Sequence, residues 1–174
     1  MWQGTLAGRW MNKPLRYAMN VLSVRDYSET EIRRKCAAYL YKSESASAED
    51  EADDATARAA AEDVEAAIAY CKEHGWLDDE RYARRYISSR SRKGYGAQRI
   101  KMELSQKGID KTTLATALNE SDIDWCALAK SVVERKFGHP LSDEWKDKVK
   151  HQRYLLYRGF FHEEIQSIYT NFSD

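Results

Sequence analysis

Basic side chains are the residues of this chain best suited to chemistry, and they are concentrated in one segment. Residues 81–111 contain ten Lys or Arg residues and two acids, Glu103 and Asp110. Cations at this density repel each other unless an anion offsets them, and guanidinium and ammonium groups bind phosphates and carboxylates. The segment therefore predicts a surface that binds nucleic acid or an acidic protein. The alternative is a solvated face that pairs with Glu103 or with the nine acids of residues 44–65.

Nine residues are candidates for contact with such a partner. Tyr95 lies in the tight basic turn Lys93-Gly94-Tyr95-Gly96, where its ring could stack on a base or pack beneath the turn. A second basic site is expected near the C-terminus, where Tyr154 and Tyr157 each stand next to an arginine. Arg90 and Arg25 occupy equivalent positions of the repeat, so each could instead be structural and pair with a carbonyl or an acid. The candidates are Arg90, Arg92, Lys93, Tyr95, Arg99, Lys101, Lys107, Arg153 and Arg158.

The remaining polar residues form no pattern that is typical of an enzyme. Cys71 and His74 are three residues apart and could share a helix face, but no second pair of metal ligands lies near them in sequence. The acids Asp78-Asp79-Glu80 are explained by the start of a helix, where carboxylates are favourable. The turn at residues 93–96 lacks the upstream glycine and the terminal Lys-Ser/Thr of a P-loop. We therefore expect no catalytic residue, no cofactor and no metal.

Composition indicates the kind of framework that must position the basic residues. The chain has 174 residues, of which 43% are hydrophobic and 32% charged, with two prolines and eight glycines, as expected for a soluble, largely helical protein. No apolar run approaches the roughly 18 residues that cross a bilayer, and residues 1–13 do not resemble a signal peptide. The three cysteines are odd in number and lie in helical patterns, which indicates buried thiols in a reducing cytoplasm.

A spacing pattern recurs along the chain and predicts three copies of a three-helix unit. In the middle copy, Ile100 and Leu104 are followed by Gly108-Ile109, and Leu155 with Gly159-Phe160 repeats that frame at an offset of 51. Such copies stack on their neighbours and present an extended surface rather than a pocket, which favours a binding protein over an enzyme. The N-terminal copy matches through Ala18, Arg25, Ile32 and Cys36.

The predicted fold is all-α, with three tandem three-helix repeats in an elongated, curved body. Ser28-Glu29-Thr30-Glu31 predicts a capping box, and Gly75 predicts a left-handed helix end. Residues 42–60 are small, polar and acidic without an apolar stripe, and they predict a mobile insertion in the first repeat. The predicted parts are an N-terminal extension at 1–13 and repeats at 14–77, 78–120 and 121–174.

Four motifs carry a resemblance to a known family. They are residues 75–83 (GWLDDERYA), 89–96 (SRSRKGYG), 99–109 (RIKMELSQKGI) and 152–160 (QRYLLYRGF). Through these motifs the chain resembles the RecX-type regulators of the RecA recombinase from about Tyr17 to the C-terminus. Residues 124–129 (DWCALA) are similar to the enterobacterial branch of that family.

The resemblance implies a cytoplasmic bacterial protein that binds in the helical groove of the RecA filament on single-stranded DNA. Such proteins inhibit the recombinase ATPase and strand exchange, block filament growth, and so damp recombination and the SOS response. No enzymatic activity and no cofactor come with the family, and we expect a monomer without membrane contact. From the residues alone, a generic nucleic-acid-binding helical module and a protein-only scaffold remain alternatives.

Overall fold

Every regular element that the structure describes is an α-helix, which confirms the all-α fold class. The structure, a computed structural model, describes residues 13–45 and 54–170. The helices follow one another in three sets of three: α1 (Lys13–Val24), α2 (Glu29–Ser45) and α3 (Asp54–Glu73); α4 (Asp79–Arg92), α5 (Ala97–Gln106) and α6 (Lys111–Glu120); α7 (Trp125–Phe137), α8 (Trp145–Arg158) and α9 (His162–Thr170).

Residue contacts divide the chain into two compact units, residues 1–82 and 83–174. In the first unit, α1, α2 and α3 pack on one another. Their apolar residues recur at three- and four-residue spacing, so that each helix turns one stripe toward a shared core. This core includes Leu15, Ala18, Ile32, Cys36, Val64, Ile68, Cys71 and Leu77.

The second unit contains the later sets of helices. α5 packs on α6, while α7 contacts both α8 and α9. Leu104 of α5 and Leu155 of α8 are both fully buried, as the 51-residue repeat predicts for equivalent positions. The core of the last set consists of Ala129, Val132, Val133, Leu155, Phe160, Ile165 and Ile168.

Side-chain oxygens cap the starts of α2, α6 and α7. The capping box at Ser28 is confirmed, because the Glu31 amide donates to Ser28 Oγ over 3.1 Å and the Ser28 amide donates to Glu31 Oε2 over 3.0 Å. Asp110 and Asp124 cap α6 and α7 in the simpler way, each accepting one amide of the first turn over 2.9 Å. These bonds satisfy amides that a helix cannot pair internally.

Glycine turns end α3, α4, α5 and α8 in the same way. At Gly75, whose φ is +71°, the prediction of a left-handed helix end is confirmed. The amide of Trp76 donates to the Cys71 carbonyl over 2.8 Å, and Leu77 then returns to the core. This arrangement is the Schellman motif, which satisfies carbonyls at the end of a helix.

The predicted insertion at residues 42–60 was wrong at both of its ends. α2 continues through residue 45, and α3 begins at Asp54. Alanine has the highest helix propensity, so an alanine-rich run can continue a helix whose first turns are exposed and bury nothing. The residues between these helices, 46–53, lie outside the described part of the chain.

Candidate nucleic-acid interface

Three arginines converge on one tyrosine ring in the second unit. The guanidinium carbons of Arg90, Arg99 and Arg158 lie 4.0, 4.5 and 4.8 Å from the centroid of the Tyr95 ring. An aromatic face attracts a cation at these distances and restricts its motion. We call these four residues the arginine–tyrosine cluster. Because the guanidinium groups contact the half-buried ring, Tyr95 packs among the arginines.

The end of α4 positions Tyr95 beside Arg90. Gly94 has a φ of +82°, a conformation that favours glycine, and its amide donates to the Ser91 carbonyl over 2.8 Å. The Tyr95 amide then donates to the Arg90 carbonyl over 3.2 Å. The tight basic turn seen in the sequence is thus a Schellman turn, and it folds Tyr95 back toward the helix that carries Arg90.

A contact between two glycines positions Arg158. The Gly96 amide donates to the carbonyl of Arg158 over 2.9 Å, and the Gln98 amide donates to the carbonyl of Gly159 over 3.0 Å. A Cβ on Gly96 would overlap the Gly159 carbonyl, and a Cβ on Gly159 would overlap the side chain of Arg99. The C-terminus of α8 therefore meets the N-terminus of α5 backbone to backbone, which places Arg158 next to Tyr95.

Glu103 is the acid of this site. It accepts from Arg90 Nε over 2.9 Å, from Arg99 Nε over 3.0 Å and from the Tyr86 hydroxyl over 2.7 Å. Burial alone would raise the pKa of this carboxyl, but the hydrogen bonds from Arg90, Tyr86 and Arg99 outweigh it and lower the pKa to about 2. Glu103 therefore stays ionised and fixes two of the three guanidinium groups.

The cluster retains an excess of positive charge. Arg90 and Arg99 share the single carboxylate of Glu103, whereas Arg158 forms no ion pair with the part of the chain that the structure describes. Its guanidinium instead donates to the Tyr154 hydroxyl over 3.1 Å and to the Lys93 carbonyl over 3.4 Å. Fixed, partly uncompensated guanidinium groups are suited to a phosphate or carboxylate, which they bind through paired hydrogen bonds.

Three other candidates lie on the helices and the turn around the cluster. Lys93 is exposed at the turn after α4, and Arg92 is exposed with its Nε donating to the Ser88 carbonyl over 3.1 Å. Lys101 is exposed on α5, with its ammonium group 5.5 Å from the centroid of the Phe161 ring. These cations extend the positive charge of the site but do not touch Tyr95.

Lys107 and Arg153 do not belong to the cluster. Lys107 follows α5, and its ammonium group lies 5.6 Å from the centroid of the Tyr86 ring. Arg153 is exposed on α8. Of the nine sequence candidates, the structure thus brings four into direct contact, places three around them and leaves two apart.

Tyr86 and Gly159 contribute to the site without having been candidates. Sequence spacing assigns Tyr86 to the core, yet its hydroxyl donates to Glu103. Gly159 is predicted as a helix end, but its carbonyl also accepts from α5. The sequence signals for these roles were weak, because both depend on contacts between separate helices. Arg99 and Glu103 stand four apart on one helix, a spacing that favours an ion pair, and their contact realises part of the alternative in which the basic face pairs with Glu103.

The described residues contain no group of three or more His, Cys, Asp or Glu residues that could hold a metal ion.

Cys36 and Cys71 are buried as expected, and burial raises the pKa of Cys36 to about 11, which keeps its thiol protonated at neutral pH. Cys126 is exposed, so the expectation of three buried thiols was wrong there. Cys126 lies in the first turn of α7, two residues after its cap Asp124, and outside the core stripe of that helix. None of the described helices is long and apolar enough to cross a membrane.

Comparison with known proteins gives consistent similarities over most of the chain. Residues 78–118 match the family model described as RecX, second three-helix domain, and residues 122–168 match RecX, third three-helix domain. The chain is 91% identical over 164 residues to the Regulatory protein RecX of Pectobacterium atrosepticum, covering 94% of this chain and 100% of that one. It is 54% identical over 174 residues to the Regulatory protein RecX of Serratia proteamaculans, covering 94% and 99%.

Solved structures share the fold at much lower sequence identity. The crystal structure of RecX from Lactobacillus salivarius superposes with a TM-score of 0.70 at 20% identity, covering 95% of this chain and 97% of that one. A second crystal structure, of a regulatory protein RecX, gives a TM-score of 0.67 at 21% identity, covering 90% and 70%. These similarities extend to the helical repeat fold as a whole.

Proposed function

Because this chain belongs to the RecX family of regulatory proteins, we propose that it binds the filament of RecA recombinase on single-stranded DNA and restrains it. In this proposal the bound protein inhibits ATP hydrolysis and strand exchange and blocks filament growth. Recombination and the SOS response are damped as a result. The protein acts by binding alone, without a cofactor.

The arginine–tyrosine cluster is the observation that carries this proposal. Phosphates along a nucleic acid are contacted chiefly by Arg and Lys, and a planar guanidinium matches a phosphate with two parallel hydrogen bonds. Tyr95 and Glu103 fix these groups before binding, so little side-chain entropy is lost when an anion arrives. Arg158 is the cluster member whose charge no acid of the described chain offsets, and we assign it the principal contact with phosphate.

A generic nucleic-acid-binding module is the second candidate function. The same cluster supports it, because phosphate contacts carry no sequence information and would bind any single strand. The two functions differ in how much of the protein is needed for an effect. A filament regulator acts when it is far less abundant than the recombinase, whereas a generic module must coat the DNA before it interferes.

RecA ATP hydrolysis on single-stranded DNA, titrated with this protein well below one copy per recombinase monomer, tests the proposal. We expect inhibition by the wild type and much weaker inhibition by a variant with Arg92→Gln, Lys93→Gln and Arg158→Gln. The matched control removes three exposed cations of the first unit, through Lys13→Gln, Arg16→Gln and Arg58→Gln. It should inhibit like the wild type.

Two results would contradict the filament proposal. If the wild type inhibits only when it is abundant enough to cover the DNA, the generic module is the better description. If both triple variants lose inhibition equally, overall charge determines the effect and the cluster has no special part in it.

A further inference from the structure

α8 exposes an apolar stripe to solvent. Trp145, Val149 and Leu156 lie at positions i, i+4 and i+11, which places them on one side of the helix. Trp145 is 76% exposed and Leu156 is 53% exposed, while Val149 between them is half-buried. The core-facing side of the same helix is already occupied, because His151 and Leu155 are buried there. α8 therefore has a second apolar face that the described part of the chain does not cover.

A basic stripe runs beside the apolar one. Lys146, Lys150 and Arg153 are exposed at positions i, i+4 and i+7, and Tyr157, 73% exposed, extends the line by one more turn. Among these cations, Lys150 pairs with Asp147 of its own helix over 3.2 Å. Exposed ion pairs of this kind are weak and exchange readily for another acid.

The combination of the two stripes indicates a protein partner. An amphipathic helix that presents a large aromatic residue and a leucine docks into apolar grooves, and Trp, Tyr and Arg dominate the energetics of such interfaces. A phosphate backbone offers no apolar partner for Val149 or Leu156. Exposed apolar surface bordered by charge is typical of protein–protein contact sites.

The α8 surface is continuous with the arginine–tyrosine cluster. Tyr157 directly precedes Arg158, and the guanidinium carbon of Arg99 lies 5.9 Å from the centroid of the Tyr157 ring. A partner that binds both surfaces must therefore present an anion and an apolar groove side by side. A protein assembled on a nucleic acid meets this requirement.

We propose that the exposed face of α8 is a protein-docking surface, and that its occupant is an apolar groove rimmed by carboxylates on a recombinase subunit of the filament. This inference rests on the proposed function and assigns separate partners to two neighbouring surfaces. The arginine–tyrosine cluster binds phosphate, and the α8 face binds protein. Trp145 and Leu156 fill the groove, while Lys146, Lys150 and Arg153 contact the carboxylates.

Binding measurements with the double variant Trp145→Ala and Leu156→Ala test the assignment. Two probes are compared: a bare single-stranded oligonucleotide, and a RecA filament assembled on the same oligonucleotide. We expect filament binding to weaken by about tenfold or more, as for truncation of interface anchors, while oligonucleotide binding stays unchanged. The matched control, Val24→Ala with Met102→Ala, truncates two exposed apolar residues on α1 and α5 and should leave both affinities unchanged.

The outcomes separate this inference from the function on which it rests. If the wild type does not bind the filament at all, the proposed function fails, and with it the proposal that a recombinase subunit binds the α8 face. If the wild type binds but the double variant binds the filament equally well, the docking surface alone is overturned. Loss of oligonucleotide binding in the double variant would also overturn it, because α8 would then contact nucleic acid. Circular dichroism of each variant confirms that its helices are intact.

Discussion

Glu103 holds together two residues that would otherwise repel each other, because Arg90 and Arg99 both donate to its carboxylate. We predict that Glu103→Gln lowers the free energy of unfolding of the second unit by about 1–3 kcal/mol, the usual loss when a partly buried charged hydrogen-bond partner is removed. Chemical denaturation measures this change. Glu120→Gln is the control, since Glu120 is more exposed and lies 4.0 Å from Arg84. Its effect should be near zero.

The low pKa of Glu103 predicts that the folded protein loses stability in acid. Its pKa is about 2 in the folded protein, whereas an unfolded glutamate titrates near 4.3. The unfolded state therefore takes up a proton first, so the stabilisation is complete above about pH 4.5 and is lost as the pH falls toward 2. Denaturation at a series of pH values should show a smaller acid loss for Glu103→Gln than for the wild type. Equal losses would show that other carboxylates are responsible.

His151 predicts a second pH effect, at milder acidity. It occupies the repeat position equivalent to Ile100, is 2% exposed, and its Nδ1 has no hydrogen-bond partner in the described chain. Burial lowers the pKa of His151; the nearby charge of Asp147 raises it, and that of Lys150 lowers it further. Stability should be complete above the ordinary histidine pKa of about 6.5 and fall below it, because the unfolded state then binds the proton more readily.

The variant His151→Leu checks this second prediction. Leucine suits the apolar environment and carries no proton, so the variant should lose less stability than the wild type between pH 7.5 and pH 5.5. Urea denaturation at the two pH values measures the difference. His162→Gln, at an exposed position at the start of α9, is the matched control and should keep the wild-type pH dependence.

At the scale of elements, the contact between α5 and α8 depends on Gly96. We predict that Gly96→Ala destabilises the second unit by about 1–3 kcal/mol, as for other overpacked contacts. It should also weaken binding of a single-stranded oligonucleotide, because the new Cβ would overlap the Gly159 carbonyl and displace Arg158 from Tyr95. Denaturation and oligonucleotide titration measure the two effects.

Gly138→Ala separates crowding from a general loss of stability. Gly138 has a φ of +97°, and no atom lies within 4 Å of the place that a Cβ would occupy, so alanine there is strained but not crowded. This variant should lose stability and keep its affinity for the oligonucleotide. Equal losses of affinity in both variants would mean that stability, and not the position of Arg158, governs binding.

Local signals in the sequence predicted most of the helical framework. The capping box at Ser28 and the left-handed turn at Gly75 depend on neighbours a few residues away, and both are present. The buried pair Leu104 and Leu155, indicated by the 51-residue repeat, is present as well. The start of α3 at Asp54 was missed because an exposed alanine-rich helix has no apolar stripe to detect.

The composition of the candidate site was less predictable. Basic residues near Tyr95 were evident from the sequence, but the meeting of Tyr95 with Arg158 depends on how α8 docks on α5. That docking is made by main-chain atoms of Gly96 and Gly159, which leave no complementary side-chain pattern to read. The role of Tyr86 was hidden for a similar reason, since its ring spacing suits the core while its hydroxyl reaches Glu103 on another helix.

At the scale of the whole molecule, zero net charge conceals a strong segregation of charge. Residues 81–111 carry a large positive excess and residues 44–65 a large negative one. Binding to a single strand should therefore weaken with added salt despite the neutral total, by a slope of about −0.7 for each phosphate neutralised. Oligonucleotide titrations at several salt concentrations measure this slope for the wild type.

The variant Arg158→Gln tests whether the slope comes from the cluster. We predict that its salt slope is shallower by roughly the contribution of one phosphate. Arg58→Gln removes the same charge from an exposed position in the first unit and should leave the slope unchanged. Identical slopes for all three proteins would indicate that phosphate is bound elsewhere on the molecule.

The start of α5 also has a consequence for protein synthesis. α2 is capped by its own Ser28, but Gly96, the equivalent residue before α5, has no side chain. The Gly96 amide bonds instead to the Arg158 carbonyl, and amides of the first turn of α5 bond to the Gly159 carbonyl. A ribosome makes α5 some fifty residues before those carbonyls exist. A nascent or prematurely terminated chain therefore lacks both the cap and the third arginine around Tyr95, and the proposed phosphate site is complete only when translation has passed Gly159.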